Sequence, residues 1–510
     1  MLRISTLSLI PLLAAASAVA QLPNPNPTPR VAPRAAWTLT AGVTGTPTQR
    51  RDNPGAASDT KMYVFGGRLG NATATVLNAL YEFDGRAWTL KTAEGAAGSP
   101  PARGGACVAW DVANDRLVVF GGDDGAGNLF GDTWTWDPVT NAWTNATPAS
   151  PSPSPRRWSA MAYDPTTQGM LLFGGETQIS PLQQSAETWL FIGGTWVQLN
   201  PATSPPARSL HSLCTRPDFG DAFLCAGRLS GSPETRHLDA WRWSGSDWVQ
   251  LPTNGTIPHG TTANQAIYDP IRKRVVLQGG QGISVPNTAN GGAYGDLYGG
   301  SPSTWCSEYD CLTEQWILYG EAGFNTGDPV IGRISRYFGA FVPALGKIYK
   351  VSGQNPSGVG TTTATCEYQA NPVAAVGTLG AGCSGGGGVV TMAPSGLYDR
   401  PWLGRRYDFQ VTNLAPGALV IAVVGFSASS LPLSAILPQA GAGCNLEVSL
   451  DITYQLANNG GTALNAFLVP TNAALVGQRL YQQALQFEVS GPVLTSFTSS
   501  NGLAMSFGAL

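Results

Sequence analysis

Short runs of β-branched and aromatic residues, each ending in a pair of small residues, recur along the first 350 positions. They read Tyr63-Val64-Phe65-Gly66-Gly67, Val118-Val119-Phe120-Gly121-Gly122, Leu171-Leu172-Phe173-Gly174-Gly175, Phe223-Leu224-Cys225-Ala226-Gly227 and Val275-Val276-Leu277-Gln278-Gly279-Gly280, with a weaker copy at Tyr349-Lys350-Val351-Ser352-Gly353. The first small residues, at 66, 121, 174, 226 and 279, are 55, 53, 52 and 53 residues apart. A second landmark keeps the same phase: Trp88, Trp143, Trp196 and Trp248 each follow their mark by 22 residues. In the fifth unit the matching Trp316 lies 37 residues after Gly279, which implies about fifteen inserted residues within 281–303. Asp111, Asp164-Pro165 and Asp269-Pro270 supply a turn ten residues before three of the small pairs. Each unit therefore reads as four strands, and four antiparallel strands in about 50 residues is one blade of a β-propeller.

The sixth unit has Ala374 where its Trp is due, while Trp37-Thr38-Leu39 stands ahead of the first unit with no blade of its own. These residues are expected to supply the outermost strand of the last blade, closing the ring and removing the free edges of an open stack. Six blades follow, or seven if the long interval between the fifth and sixth marks hides a degenerate unit. The glycine pairs after β-branched runs, the Asp-Pro turns and the spaced Trp resemble kelch repeats over residues 36–375. The Trp residues are expected to pack between blades.

Beyond residue 375 the repeat stops. Seven glycines among residues 377–388 read as a linker, here bounded at 376–390, and residues 391–510 alternate short apolar runs with turn residues. A small β-sandwich fits that pattern. Leu403-Gly404, Val411-Thr412-Asn413, Gly443-Cys444-Asn445-Leu446, Val469-Pro470-Thr471-Asn472 and Ser500-Asn501-Gly502-Leu503 resemble a module appended to secreted bacterial repeat proteins. That resemblance implies surface attachment or a stabilising cap. The fold class is thus all-β, a kelch-type propeller followed by a sandwich.

Residues 1–20 carry Arg3, an apolar stretch and the small-x-small ending Ala18-Val19-Ala20, which reads as a secretory signal; residues 21–35 form a Pro-rich segment. After cleavage no transmembrane segment is expected, and the location is extracellular, periplasmic or at the cell envelope. Eight cysteines in an exported chain favour disulfides. Cys306 and Cys311 flank a short turn, Cys214 and Cys225 fall on neighbouring strands, and Cys383 and Cys444 pair by exclusion beyond the glycine-rich stretch. Cys107 and Cys366 have no obvious partner.

Net charge is −3 and only 12% of residues are charged, so no phosphate-neutralising excess exists and nucleic acid is excluded as a partner. Gly380-Ala381-Gly382-Cys383-Ser384-Gly385 and Gly382-Cys383-Ser384-Gly385-Gly386 match phosphate-loop and nucleophile-elbow patterns, but neither has the strand before and helix after that those motifs require. The kelch resemblance brings in galactose oxidase, whose copper needs two His and two Tyr. This chain has only His211, His237 and His259 and no adjacent Tyr-His pair, so copper is disfavoured and no cofactor or metal is expected.

Arginine recurs at the start of each first strand, as Arg103, Arg157 and Arg208, with Arg51 and Arg336 in comparable places and His259 in unit five. Equivalent positions of a propeller return to one rim, so these residues would form a ring. Kelch substrate adaptors hold acidic peptides with such arginines, and the resemblance implies the same here; the alternative is that each Arg binds backbone carbonyls or a neighbouring Asp. With no assembled catalytic set, the expectation is a secreted, non-catalytic binding protein for a protein or acidic glycan. A sugar mutarotase or epimerase using an Arg-rich pocket and a structural envelope protein are the alternatives.

Overall fold

In the computed structural model, residues 36–508 are described except 53, 70–74, 231–234, 238, 253–261, 279, 281–305, 320–336, 352, 354–363 and 370–373. Five four-stranded sheets and one five-stranded sheet follow one another over residues 36–369 among these residues. Their innermost strands, Gly55–Ala57, Cys107–Asp111, Ala160–Asp164, Ser212–Arg216, Gln265–Asp269 and Phe338–Val342, touch one another in cyclic order, the last returning to the first. The chain is thereby a closed propeller around a central channel. Ala36–Leu39 pairs antiparallel with Thr365–Gln369, placing Trp37 opposite Tyr368, so the last sheet takes its outermost strand from the beginning of the domain. The inserted segment expected within 281–303 lies outside the described residues.

The blade pattern follows from local chemistry. Asp111, Asp164 and Asp269 accept backbone N–H bonds from residues two or three positions on, fixing the tight turn between first and second strands. At the other end of the second strand the chain needs a left-handed backbone and room beside the next blade. Gly121 has φ 68°, and a Cβ there would run into the Arg156 carbonyl; Gly122, at φ 101°, donates its N–H to that same carbonyl at 2.8 Å. The equivalent bonds run from Gly67 to Arg103 and from Gly175 to Arg208.

Blades pack face to face through apolar side chains. Phe65 and Leu80 of the first meet Val108, Leu117 and Trp136 of the second, and the other interfaces repeat this. The spaced Trp add a directed bond. Trp143, Trp196 and Trp248 each donate the indole N–H, at 2.9 Å, to a Thr of the preceding blade: Thr92, Thr133 and Thr188. Trp88 of the first blade donates to Thr365 of the last, so the same device closes the ring.

The C-terminal part is a β-sandwich. One sheet runs in the order Ala375–Leu379, Gly502–Ser506, Arg479–Ser490, Leu419–Gly425, Ile452–Leu456; opposite it lie Thr391–Pro394, Arg406–Thr412 and Ala463–Leu468. Tyr407, Phe409, Val420, Ala484 and Leu503 fill the space between. The stretch read as a linker from its glycines is part of this domain. Ala375–Leu379 is an edge strand bonded to Gly502–Ser506, and Ser384–Gly385 pairs with Gly388–Val389. A Cβ on Gly382 would run into the Val390 carbonyl and one on Gly387 into the backbone of Asn413 and Leu414, so these glycines mark close packing instead of freedom. No described helix is long and apolar enough to cross a membrane, and the expected signal segment lies outside the described residues.

Cys383 and Cys444 form the expected disulfide, tying the residue before Ser384–Gly385 to the one before the strand Asn445–Val448. The other two expected pairings are absent. Cys306 begins the strand Cys306–Asp310 and Cys311 immediately follows it, so about 16 Å of extended chain separates them. Cys214 faces Phe223 and Cys225 faces Ser212, a diagonal offset across their strands, and both thiols are free. Cys107 and Cys311 are also free and buried, and Cys366 is buried.

Candidate functional site

The channel has two ends of different chemistry. At the end where the glycine pairs lie, arginine does recur at equivalent positions, but as Arg50, Arg103, Arg156 and Arg208, all with no exposed surface. Each guanidinium turns away from the channel into its own blade. Arg103 donates from Nε to the Pro101 carbonyl, from one terminal nitrogen to the Gly121 carbonyl at 2.9 Å, and from both to the Asp132 carboxylate at 2.7 and 2.8 Å. Arg208 repeats this with Pro206, Ala226 and Asp239, and Arg156 with Ser154, Gly174 and Glu187. A Trp two residues after each acid donates to it as well: Trp134, Trp189 and Trp241. Burial opposes charge on Asp132 and Asp239, yet the arginine and indole bonds hold both carboxyls below the usual range. The group is a staple across three strands of one blade.

This corrects the expected ring. Arg103 and Arg208 are interior residues, and the true partners of the set in units one and three are Arg50 and Arg156, each one position before the expected Arg51 and Arg157. The signal was available: Arg103, Arg156 and Arg208 each stand 18 residues before the small residue whose carbonyl they bind. The same offset from Gly279 and Ser352 leads to Thr261 and Ile334, not to His259 and Arg336, which lie outside the described residues. The carboxylates were legible too, as an acid-x-Trp pattern at 132–134, 187–189 and 239–241.

Arg51 and Arg157 do face the rim, within a chain of alternating charge. Arg51 lies 3.7 Å from Asp52, Arg68 bridges Asp52 and Asp123, Arg157 bridges Asp123 and Glu176, and Arg228 lies 3.5 Å from Glu176. Arg157 also stacks on Trp158, 3.9 Å from its ring centre. Two residues after each staple arginine the backbone is left-handed, at Asp52, Gly105, Trp158 and Leu210, and Ala263 continues the series. For non-glycine residues that costs about 1–2 kcal/mol each. Hydrogen bonds around the channel offset it: Trp158 donates to Gly105, Leu210 to Trp158 and Ala263 to Leu210. Directly below, His211 is buried against Phe173, its pKa pushed down to about 3 by burial first and by the Arg208 charge second. This end is a neutralised, self-bonded collar.

The opposite end is open. A cavity of about 410 Å³ lies in the channel, lined by residues of all six inner strands and by the turns that follow them. Val112, Pro165, Pro217, Pro270 and Pro343 occupy matching turn positions around its mouth, with Trp110, Tyr163, Tyr268 and Phe341 two residues earlier on their strands. The ionisable side chains of the lining are Asp59 and Asp115, both exposed, together with Cys214 and the two tyrosines. Burial raises the Cys214 thiol far above its ordinary value, so it stays protonated and a poor nucleophile. Tyr268 donates its hydroxyl to Asp218, which also pairs with Lys273. The sequence concealed this cavity because Val, Pro, Tyr and Met at strand ends read as ordinary core and turn.

Fold and repeat chemistry define a kelch-type β-propeller, and residues 34–227 match the family model described as the KLHDC2/KLHL20/DRC7 Kelch-repeats domain. That portion of the chain is similar to kelch-repeat domains. Among solved structures, one described as "Structure of YjhT" is similar, at 18% identity over 62% of this chain and 95% of that one, with a TM-score of 0.46. Among the described residues no group of three or more His, Cys, Asp or Glu is placed to hold a metal ion.

Proposed function

We propose that this is an exported, non-catalytic binding protein whose propeller receives a protein ligand at the turn-side mouth of its channel, with the sandwich as an accessory module at the cell surface. The observation that carries the reading is the 410 Å³ cavity walled by apolar and aromatic side chains from every blade. Such a concave, largely apolar site with a few polar groups at its edge suits binding. The arginines favour no acidic ligand, since the rim cations are matched by Asp52, Asp123 and Glu176 within the collar.

The test is peptide selection on the full-length protein, counter-screened with Ala340→Trp, which fills the mouth from a half-buried lining position. Peptides that bind the wild type and lose the variant support the reading; peptides that bind both equally contradict it. Export is checked by sequencing the mature N-terminus from culture fractions, with Gln21 expected as its first residue.

A further inference from the structure

The charges around the mouth narrow the ligand. Resting on the reading above, we infer that the group entering the cavity is an organic cation, an ammonium or guanidinium carried on an apolar stem. Three observations converge. The lining contains no Lys, Arg or His among the described residues, and its two charged side chains, Asp59 and Asp115, stand at the mouth. Neither carboxylate forms an ion pair with a described basic residue, because the nearby bases are committed: Lys61 to Glu82 at 3.0 Å, Arg116 to Asp111 at 3.1 Å and Lys273 to Asp218 at 3.1 Å. Inside the acidic edge, the aromatic residues Tyr163, Tyr268 and Phe341 line the wall.

Aromatic faces attract cations through the ring quadrupole, and the attraction grows as water is excluded. An apolar stem would occupy the wall formed by Met161, Leu213 and Ile267, while the charged head remained between the rings and the carboxylates. An anion would meet two carboxylates and no donor side chain of opposite charge. A neutral apolar group would bury its surface but leave the edge unused. The cavity is large enough for one large side chain, so both a lysine or arginine of a protein and a free amine have this chemistry.

The experiment titrates full-length protein at low salt with benzyltrimethylammonium, benzyl alcohol and phenylacetate, and in a second arm with a leucine- and lysine-containing hexapeptide against the same peptide acetylated on lysine. The expected result is about tenfold tighter binding of benzyltrimethylammonium than of benzyl alcohol, none of phenylacetate, and a preference that falls to within about twofold in Asp59→Asn/Asp115→Asn. A matching loss on acetylation assigns the cation to a protein; selectivity confined to the small amine assigns it to a free ligand. Equal or tighter binding of the neutral or anionic probe overturns the charge inference while leaving the mouth as a binding site. If no probe or peptide binds, or Ala340→Trp and Thr215→Trp bind them like the wild type, the mouth itself is refuted.

Discussion

The two ends of the channel are built from the same six repeats and have opposite fates. At the glycine-pair end every strong charge is turned inward or toward a neighbour: Arg103 to Asp132, Arg208 to Asp239, Arg157 to Asp123 and Glu176. At the turn end the repeat supplies small or apolar residues and leaves a cavity with acids at its edge. A repeated basic residue is therefore no sign of a ligand when an acid repeats with it. What identifies a site is the end at which the repeat leaves space unfilled.

The largest expected effect tests the inward-turned end. Arg103→Met leaves Asp132 without its bidentate partner and the Gly121 carbonyl without its donor, and should cost about 3–5 kcal/mol in urea unfolding. Arg103→Lys should recover only part of this, because an ammonium cannot span the carboxylate and the two carbonyls together. If Arg103→Met were neutral for stability, the staple account of the collar would be wrong.

Acid should loosen the same end before the other. His211 binds its proton far more weakly folded, at about pH 3, than unfolded, at about 6.5, so the unfolded chain takes up protons first. Its contribution to stability is complete above about 6.5 and is lost as pH falls toward 3; between pH 7 and 5 the loss should be about 2 kcal/mol. Unfolding free energies measured across that interval should show the slope in the wild type and lose most of it in His211→Phe, the remainder coming from His237, whose pKa burial also lowers. The staple carboxylates, with pKa values below the ordinary range, add their loss only at lower pH.

Much of this contrast was legible in the residues. The 53-residue spacing and the 22-residue Trp offset foretold strands, blade order and ring closure, because each answers a local demand for a turn, a tight approach or an inter-blade bond. The arginines were visible, yet their direction was not, since the staple depends on acids 29 to 31 residues away that only the folded blade brings near. The glycine-rich 377–388 misled for a related reason: glycine marks freedom in an open chain and crowding in a packed one, and only tertiary contacts decide. The cavity had no sequence signature, being made of what six strand ends fail to fill.

A smaller effect sharpens the comparison from outside the channel. Trp88→Phe removes the indole bond to Thr365 that joins first and last blades and should cost about 1–2 kcal/mol, with hydrogen exchange rising first in Ala36–Leu39 and Thr365–Gln369. Trp248→Phe breaks an equivalent bond to Thr188 inside the ring and should leave that closing seam as protected as before.

The most direct test measures two quantities on two variants: unfolding free energy and benzyltrimethylammonium affinity for Arg103→Met and Ala340→Trp beside the wild type. Arg103→Met should lose stability and keep affinity at a temperature where it remains folded, whereas Ala340→Trp should keep its stability within about 1 kcal/mol and lose the affinity. Loss of affinity in folded Arg103→Met together with full binding by Ala340→Trp would contradict it, and would return the ligand to the arginine rim.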